Sequence, residues 1–414
     1  MTRTALVTLA AGLIACAIGT DAPLIERHVL ISEETLKELP THELLHRVRD
    51  LQVDNSGRVW ILSVDSPFIS AVQPDDGDLT SFGTPGPGPE EMATPWSVIP
   101  NGTGGAVIWD AGRRRVLEFN QVGDDVQFVS GVHVEIESST VLRSIEASSY
   151  GTPLRMRKAG SIFVVQPAHR PVLNTGDLRE IVLLTGPAPS QIQDTLYVGP
   201  RRAGSSSAEF LVPIPLWAAC ANGDVVVFEP PDQLISIRTA PGTADTIVLP
   251  LHRRKMDDGD IRRFLRYSME LELVGRVRPS DEVIERRIDQ VLRRGRDIFS
   301  SEAPLATNLL CDDFGYVWIQ GFDTEEHPAG FGRDWWVVGT NRVVAAVRFP
   351  RGFQPRVVSR FGIYGTLRDS LGLERPHYVP ADAAYDLIYM STDTPPASVD
   401  TLYPQSSTPD GGGP

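Results

Sequence analysis

Val53-Asp54-Asn55-Ser56-Gly57-Arg58-Val59-Trp60-Ile61 is a polar turn followed by a bulky apolar strand. An Asp or Asn at the turn accepts backbone hydrogen bonds, and a Gly takes positive φ without steric cost. The phrase recurs as Pro100-Asn101-Gly102-Thr103-Gly104-Gly105-Ala106-Val107-Ile108-Trp109 and, more weakly, as Arg157-Lys158-Ala159-Gly160-Ser161-Ile162-Phe163-Val164. It returns as Ala221-Asn222-Gly223-Asp224-Val225-Val226-Val227-Phe228 and Cys311-Asp312-Asp313-Phe314-Gly315-Tyr316-Val317-Trp318-Ile319. Its most degenerate copy is Ser359-Arg360-Phe361-Gly362-Ile363-Tyr364-Gly365. Around these copies, short β-branched and aromatic runs alternate with turns, drawing on 36 Gly and 33 Pro.

The turns fall near residues 54, 101, 158, 222, 312 and 361, and most gaps are about 47 to 64 residues. That length suits four antiparallel strands with their loops, which is one blade of a β-propeller. The 90-residue gap between 222 and 312 is the exception, and it holds the one helix-like block, residues 256–302. There Ile261, Phe264, Leu265 and Met269 recur at helical spacing, as do Ile284, Ile288, Val291 and Leu292 after the break at Arg278-Pro279-Ser280. Ser280, with Asp281 and Glu282 in the first turn and Glu285 nearby, suits a helix start. The expected fold is therefore all-β: a six-bladed β-propeller over residues 41–391 with a helical insertion (256–302) in one blade. The insertion reads as a helical hairpin packed on one face, or as a lid or docking arm.

Phe82-Gly83-Thr84-Pro85-Gly86-Pro87-Gly88-Pro89-Glu90-Glu91-Met92 resembles the inter-blade loop of NHL-like six-bladed propellers, with a Phe-Gly start, a Gly-rich middle and a Pro-Gly-Glu-Phe end. It departs from that loop at Glu90, where glycine is usual, and at Met92, where phenylalanine is usual. Trp336-Val337-Val338, Arg348-Phe349-Pro350 and the stretch from Tyr364 to Glu374 resemble the last blades of exported bacterial propellers. The resemblance implies the fold and is nearly silent on function, because propellers host many activities. Such rings close by pairing a strand from one end of the chain with a blade from the other. His28-Val29-Leu30-Ile31 is the candidate to complete the blade containing residues 361–390.

The N-terminus has Arg3, an apolar run from Ala5 to Ile14, and then Ala15-Cys16. The run is too short to span a bilayer, which takes about 20 residues, and the pattern describes an export signal. Leu13-Ile14-Ala15-Cys16 resembles the lipobox of bacterial lipoproteins. The resemblance implies cleavage before Cys16 and a diacylglycerol on its thiol. Residues 1–15 are then the signal peptide and 16–40 a lipidated tether that also carries the ring-closing strand. Ordinary cleavage nearby and an uncleaved anchor remain the alternatives. Ala17 rather than Asp after Cys16 resembles a sorting choice for the outer membrane. Residues 392–414 are poor in apolar groups and read as a disordered tail.

The 414 residues carry a net charge of -14, with 41% hydrophobic and 22% charged residues. Arg3 is the one charged residue in 1–15, so the mature chain carries -15. Such a surface excludes nucleic acid as a partner and opposes a broad grip on anionic lipid. Of three cysteines, Cys220 and Cys311 each precede the turn of a different repeat. A Cys220–Cys311 disulfide is one reading, but equivalent positions of two blades are usually too far apart for the bond, so two buried thiols are favoured.

His42-Glu43-Leu44-Leu45-His46 matches the zinc-protease pattern, in which two imidazoles one helical turn apart bind the metal. Pro40 before it, and the blade strand running from Leu44 to Val53, argue for coincidence. Asp75-Asp76-Gly77-Asp78 lacks a calcium-loop frame and reads as a hairpin turn. Trp60, Trp109 and Trp318 hold equivalent places and read as packing between blades. In the pair Trp335-Trp336 one ring faces out; Trp335 is a candidate for ligand contact, with edge packing the favoured reading. No Gly-x-Ser-x-Gly elbow and no phosphate loop occurs, and the histidines (His28, His133, His169, His252, His327, His377) are scattered.

No catalytic residue, cofactor or metal site is assigned; the one assigned position is Cys16, for lipid. The expected role is a lipid-anchored envelope propeller that binds an unknown protein or small molecule. The alternative is a calcium-dependent lactonase-like hydrolase or a lyase working at the axial mouth, which leaves an axial calcium open.

Overall fold

The computed structural model describes residues 27–389 other than 43–44, 46, 76, 103, 123–124, 135–149, 170–176, 180–181, 190, 193, 199–200, 204–215, 230–233, 239–244, 249–254, 273–279, 294–305, 323–330, 340–342 and 370–372. The repeats fold as expected into consecutive antiparallel sheets. Sheet A holds Val48–Val53, Val59–Ser63, Ile69–Val72 and Leu79–Phe82. Sheet B holds Pro95–Pro100, Gly105–Asp110, Arg115–Val122 and Asp125–His133. Sheet C holds Tyr150–Ala159, Ile162–His169, Val182–Gly186 and Asp194–Val198, with a side ribbon of Asp177–Arg179 and Arg201–Ala203. Sheet D holds Leu216–Ala219, Val225–Glu229, Leu234–Arg238 and Asp245–Val248. Sheet E holds Ala306–Cys311, Val317–Gly321, Phe331–Val338 and Val343–Pro350. Sheet F holds Phe353–Ser359, Gly362–Arg368 and Glu374–Pro380.

The first strand of each sheet touches the first strand of the next, from A through F, and the first strand of F returns to that of A. This inner ring makes the fold a β-propeller. The core lies between sheets. Trp60 and Val98 meet between A and B, Trp109 and Met156 between B and C, and Ile61 and Tyr364 between F and A. Second strands are therefore buried on both faces, which explains runs such as Val59–Ser63 and Gly105–Asp110 that do not alternate. Met92 fills the A–B layer with no exposed surface.

Two N-terminal strands reach the far end of the chain. Lys37–Glu38 pairs antiparallel with Glu374–Pro380 and gives sheet F its fourth strand. His28–Leu30 does not complete that sheet. It pairs in parallel with Val343–Pro350 as a fifth strand of sheet E.

In chain order, helices α1 (Asp258–Glu272) and α2 (Asp281–Leu292) lie between sheets D and E. Ile261, Leu265, Ile284 and Ile288 bury against one another and against Phe322. The Asp257 and Asp260 carboxylates each accept the other's backbone N–H at the start of α1 (2.7 and 3.0 Å). Ser280 stands at the α2 N-cap without a side-chain bond, and Glu285 instead pairs across the hairpin with Arg262 and Arg266. No described helix is long and apolar enough to cross a membrane.

Two of the recurrent turns owe their shape to a buried carboxylate. Asp54 accepts N–H bonds from Ser56 and Arg58 and the indole N–H of Trp60 (2.8, 3.1 and 3.0 Å). Asp312 does the same with Phe314, Tyr316 and Trp318 (2.9, 2.8 and 2.9 Å), and Gly57 and Gly315 take positive φ. Asp312 also accepts the Tyr389 hydroxyl at 2.5 Å, so the C-terminal helix α3 (Ala381–Tyr389) is tied to sheet E. Burial pushes Asp312 up to about 6 against the pull of these hydrogen bonds. A folded value above the ordinary 3.8 means that the folded chain holds the proton more tightly. The stability contributed by this group is present near pH 4 and is lost as pH rises through about 6. Relative to Asp312→Asn, the wild type should lose on the order of 1–3 kcal/mol over that interval; a constant difference in urea unfolding across it would refute the raised value.

Cys220 and Cys311 are not separate thiols. They form a disulfide, with Cα atoms 5.2 Å apart. Neighbouring inner strands converge toward the axis, so equivalent positions of sheets D and E come within bonding reach. The link closes a segment of 91 residues. Its removal by Cys220→Ser with Cys311→Ser should cost about 2–5 kcal/mol. Thiol titration in denaturant without reductant should find neither cysteine free; finding both would contradict the link.

Candidate functional site: the arginine-lined axis

Five of the first strands carry an extra residue that breaks register with the second strand. These are Arg49, Trp96, Leu154, Thr307 and Arg356. A bulge re-aims the side chains beside it, and here the strands concerned surround the axis.

Asp50 follows the bulge of sheet A. Its carboxylate accepts the N–H of Leu51 and that of Val98 in sheet B, both at 3.0 Å. The Arg157 guanidinium of sheet C donates to both of its oxygens, at 2.9 and 2.7 Å. The pair is mostly buried, with side-chain exposures of 15% for Arg157 and 7% for Asp50. Ser97 and Asn308 stand at equivalent places. Ser97 Oγ accepts the Met156 N–H at 3.3 Å, and Asn308 accepts the Leu309 N–H at 2.9 Å.

Arg155 follows the bulge of sheet C. Its guanidinium stands 4.9 Å from the Trp217 ring centre and donates weakly to the Trp217 carbonyl at 3.5 Å. The Trp217 indole is held by Gln166 at 2.7 Å. Burial lowers Arg155 to about 9; repulsion from Arg157 adds to this, Asp50 opposes it, and Arg356 lowers it further. Arg356 is itself the bulge residue of sheet F, and its Nε is buried with no hydrogen-bond partner among the described residues. Sheets A and C thus bring Asp50 and Arg157 into contact, with Arg155 beside them on the same strand as Arg157. Near the axis, the bulge residues Arg49 and Trp96 stack 4.4 Å apart, with Arg49 donating to the Pro95 carbonyl at 2.5 Å.

The sequence-predicted positions lie elsewhere. Cys16, Glu43, Leu44 and His46 fall outside the described residues, while His42 and Leu45 are in irregular backbone. Asp75 and Asp78 belong to a turn closed by Gln73 N–H to Asp78 O and Gly77 N–H to Gln73 O, each at 3.0 Å. Trp335, a candidate ligand contact for which edge packing is the favoured reading, is 1% exposed and packs in the layer between sheets E and F. Trp336 is the partly exposed ring of the pair. His28, His133 and His377 sit on outer strands. Among the described residues no group of three His, Cys, Asp or Glu is placed to hold a metal ion.

The axial residues were missed by sequence reading. The available signal was Arg155-Met156-Arg157, a pair of cations in the first strand of a repeat whose counterparts are mainly apolar or neutral.

The chain matches no protein-family model and no curated protein. Among solved structures it is similar to virginiamycin B lyase from Staphylococcus aureus (TM-score 0.40, 11% identity, covering 83% of this chain and 98% of that one). It is also similar to the calcium-binding protein regucalcin from Agrobacterium tumefaciens (0.42, 11%, covering 86% and 97%). A member of the DUF4221 family from Bacteroides vulgatus gives 0.45 at 9% identity, covering 84% and 96%. Likeness at this level says nothing of function.

Breaking a buried ion pair by removing one partner strands the other charge. Arg157→Met should lower stability by about 3–5 kcal/mol. A double-mutant cycle with Asp50→Asn should show a coupling well above ~1 kcal/mol; additive losses would show that the two side chains act independently.

Proposed function

We propose that this chain is an exported, lipid-anchored, six-bladed β-propeller of the bacterial cell envelope that acts as a binding module, with its ligand seat on the axis. The six-bladed reading is supported by sheets A to F, five of them four-stranded and E five-stranded, and by the return contact of F on A. Export is supported by the N-terminal signal and by the Cys220–Cys311 disulfide, since disulfides persist in oxidising compartments. Cys16 carries the lipid and holds the propeller at a membrane, with the outer membrane favoured by Ala17. The helices of 256–302 form an insertion that stands beside the ring as a hairpin.

The observation that carries the binding role is the chemistry of the axis. A calcium-dependent hydrolase or a lyase calls for several carboxylate, amide or imidazole groups around one cation-sized gap, because calcium takes six to eight oxygen ligands. The described axis offers the Asp50 carboxylate, already engaged by Leu51, Val98 and Arg157, and guanidinium groups that repel a divalent cation. Arginine stays protonated near neutral pH and does not serve as a general base. This donor set supports recognition rather than proton transfer.

The test of anchoring is metabolic labelling with a fatty acid in a bacterial host. The wild type should take up label and sediment with membranes, and Cys16→Ala should do neither. Membrane-bound but unlabelled wild type would overturn the lipid anchor in favour of an uncleaved signal.

A further inference from the structure

We infer that the outer strand of sheet B, Asp125–His133, is the contact through which two copies of this chain pair about a two-fold axis at Val129. The inference stands apart from the axial reading. Its first ground is where the exposed apolar groups lie. Val122, Val129 and Val132, each 44–54% exposed, stand on one hairpin of sheet B. Leu79 is also exposed and lies on the outer strand of sheet A, which touches this one. The face of the strand that meets sheet A is already occupied. Val126 and Phe128 pack on the A–B layer, and the rings of Phe82, Phe119 and Phe128 run outward in contact, with centres 5.0 and 5.7 Å apart. The outer edge pairs with no described strand, and such an edge is a template for another strand. A bulge often blunts an edge of this kind. Here the register steps from Phe128 opposite Phe119 to Ser130 opposite Glu118, so the residue freed by the bulge is Val129. The bulge sets an apolar side chain at the middle of the edge where a guarding charge would otherwise stand.

The second ground is charge, and it names the occupant. From Val126 to Val132 the strand carries no ionisable residue. Glu118, the acid in the neighbouring strand, accepts the Ser130 hydroxyl at 3.3 Å. A basic partner would be steered toward carboxylates, which this strip lacks. Two copies, each of net charge -14, repel over most of their surface and close only where no carboxylates oppose. An edge strand placed against itself by a two-fold axis runs antiparallel, and the same patch serves both copies. The uncharged stretch then faces its own copy, and Val129, at its centre, meets Val129. Sodium chloride screens the repulsion between the two bodies, so this contact tightens as salt rises.

The experiment extracts the full chain in neutral detergent and follows its mass by sedimentation. The wild type should show a concentration-dependent equilibrium of monomer and dimer that shifts toward dimer with added sodium chloride. Val129→Lys should weaken the dimer about tenfold or more, because it sets two ammonium groups against each other, with an unchanged far-UV circular dichroism spectrum. In membranes, oxidation of Val129→Cys should give a disulfide-linked dimer. Leu30→Cys is the control: Leu30 is more exposed than Val129 but sits on sheet E, and it should give little. Equal cross-linking of the two variants would report random collision and overturn the proposal. A wild type that stays monomeric at every concentration and salt would overturn it too, as would a dimer that Val129→Lys leaves intact. Cross-linking of Val129→Cys to a different envelope protein in place of a second copy would overturn the choice of partner.

Discussion

Asp50 accepts hydrogen bonds from Leu51, from Val98 and from both ends of the Arg157 fork, so one carboxylate joins sheets A, B and C at the axis. Inner strands meet along their edges, where backbone N–H groups of one sheet point toward the next and cannot be satisfied within their own ladder. A side-chain acceptor placed just after a bulge meets that need. Asp50 serves Val98, and Ser97 serves Met156 in the next sheet. The same carboxylate then requires a cation because it is buried, and Arg157 supplies one. Joining the inner ring and charging the axis are therefore one structural decision.

Propellers of this kind must also resist opening at the seam between the first and last sheets. Here the seam is held at three radii. At the centre, the first strand of F touches that of A. Midway, Ile61 and Leu51 pack against Tyr364 and Tyr378. At the rim, Lys37–Glu38 completes sheet F from the N-terminal side. His28–Leu30 extends the hold one sheet further by joining E, and Tyr389 of α3 reaches the turn carboxylate Asp312. The disulfide ties D to E on the inner ring. Sheets D, E and F, which carry the chain's C-terminal half, are thus linked to one another and to the N-terminus by independent means.

Much of the fold was legible because its determinants are local. The turn of Asp54 with Gly57 and Trp60 is written in seven consecutive residues, and its copy at Asp312 forms the same bonds. What failed in the sequence reading depended on distance. Free thiols were favoured over a disulfide because equivalent positions of separate blades were judged remote, whereas neighbouring inner strands converge. The destination of His28–Leu30 depended on which of two outer edges lay within reach. Trp335 and Trp336 were ambiguous because alternation fixes that one ring is buried without saying which, and a bulge earlier in that strand changes the parity. The axial site was the least legible of all. Its members come from three repeats, and each owes its direction to a one-residue bulge that no local motif announces.

The axis therefore poses an electrostatic question more than a packing one. Arg157 is accounted for by Asp50, and Trp217 by Gln166, so neither needs a ligand to explain its place. Arg155 differs, because its guanidinium is held by the Trp217 ring and one long bond to the Trp217 carbonyl rather than by a carboxylate. Burial and repulsion lower Arg155 only to about 9, which leaves it charged near neutral pH. The repulsion is thus present under ordinary conditions rather than relieved by loss of a proton.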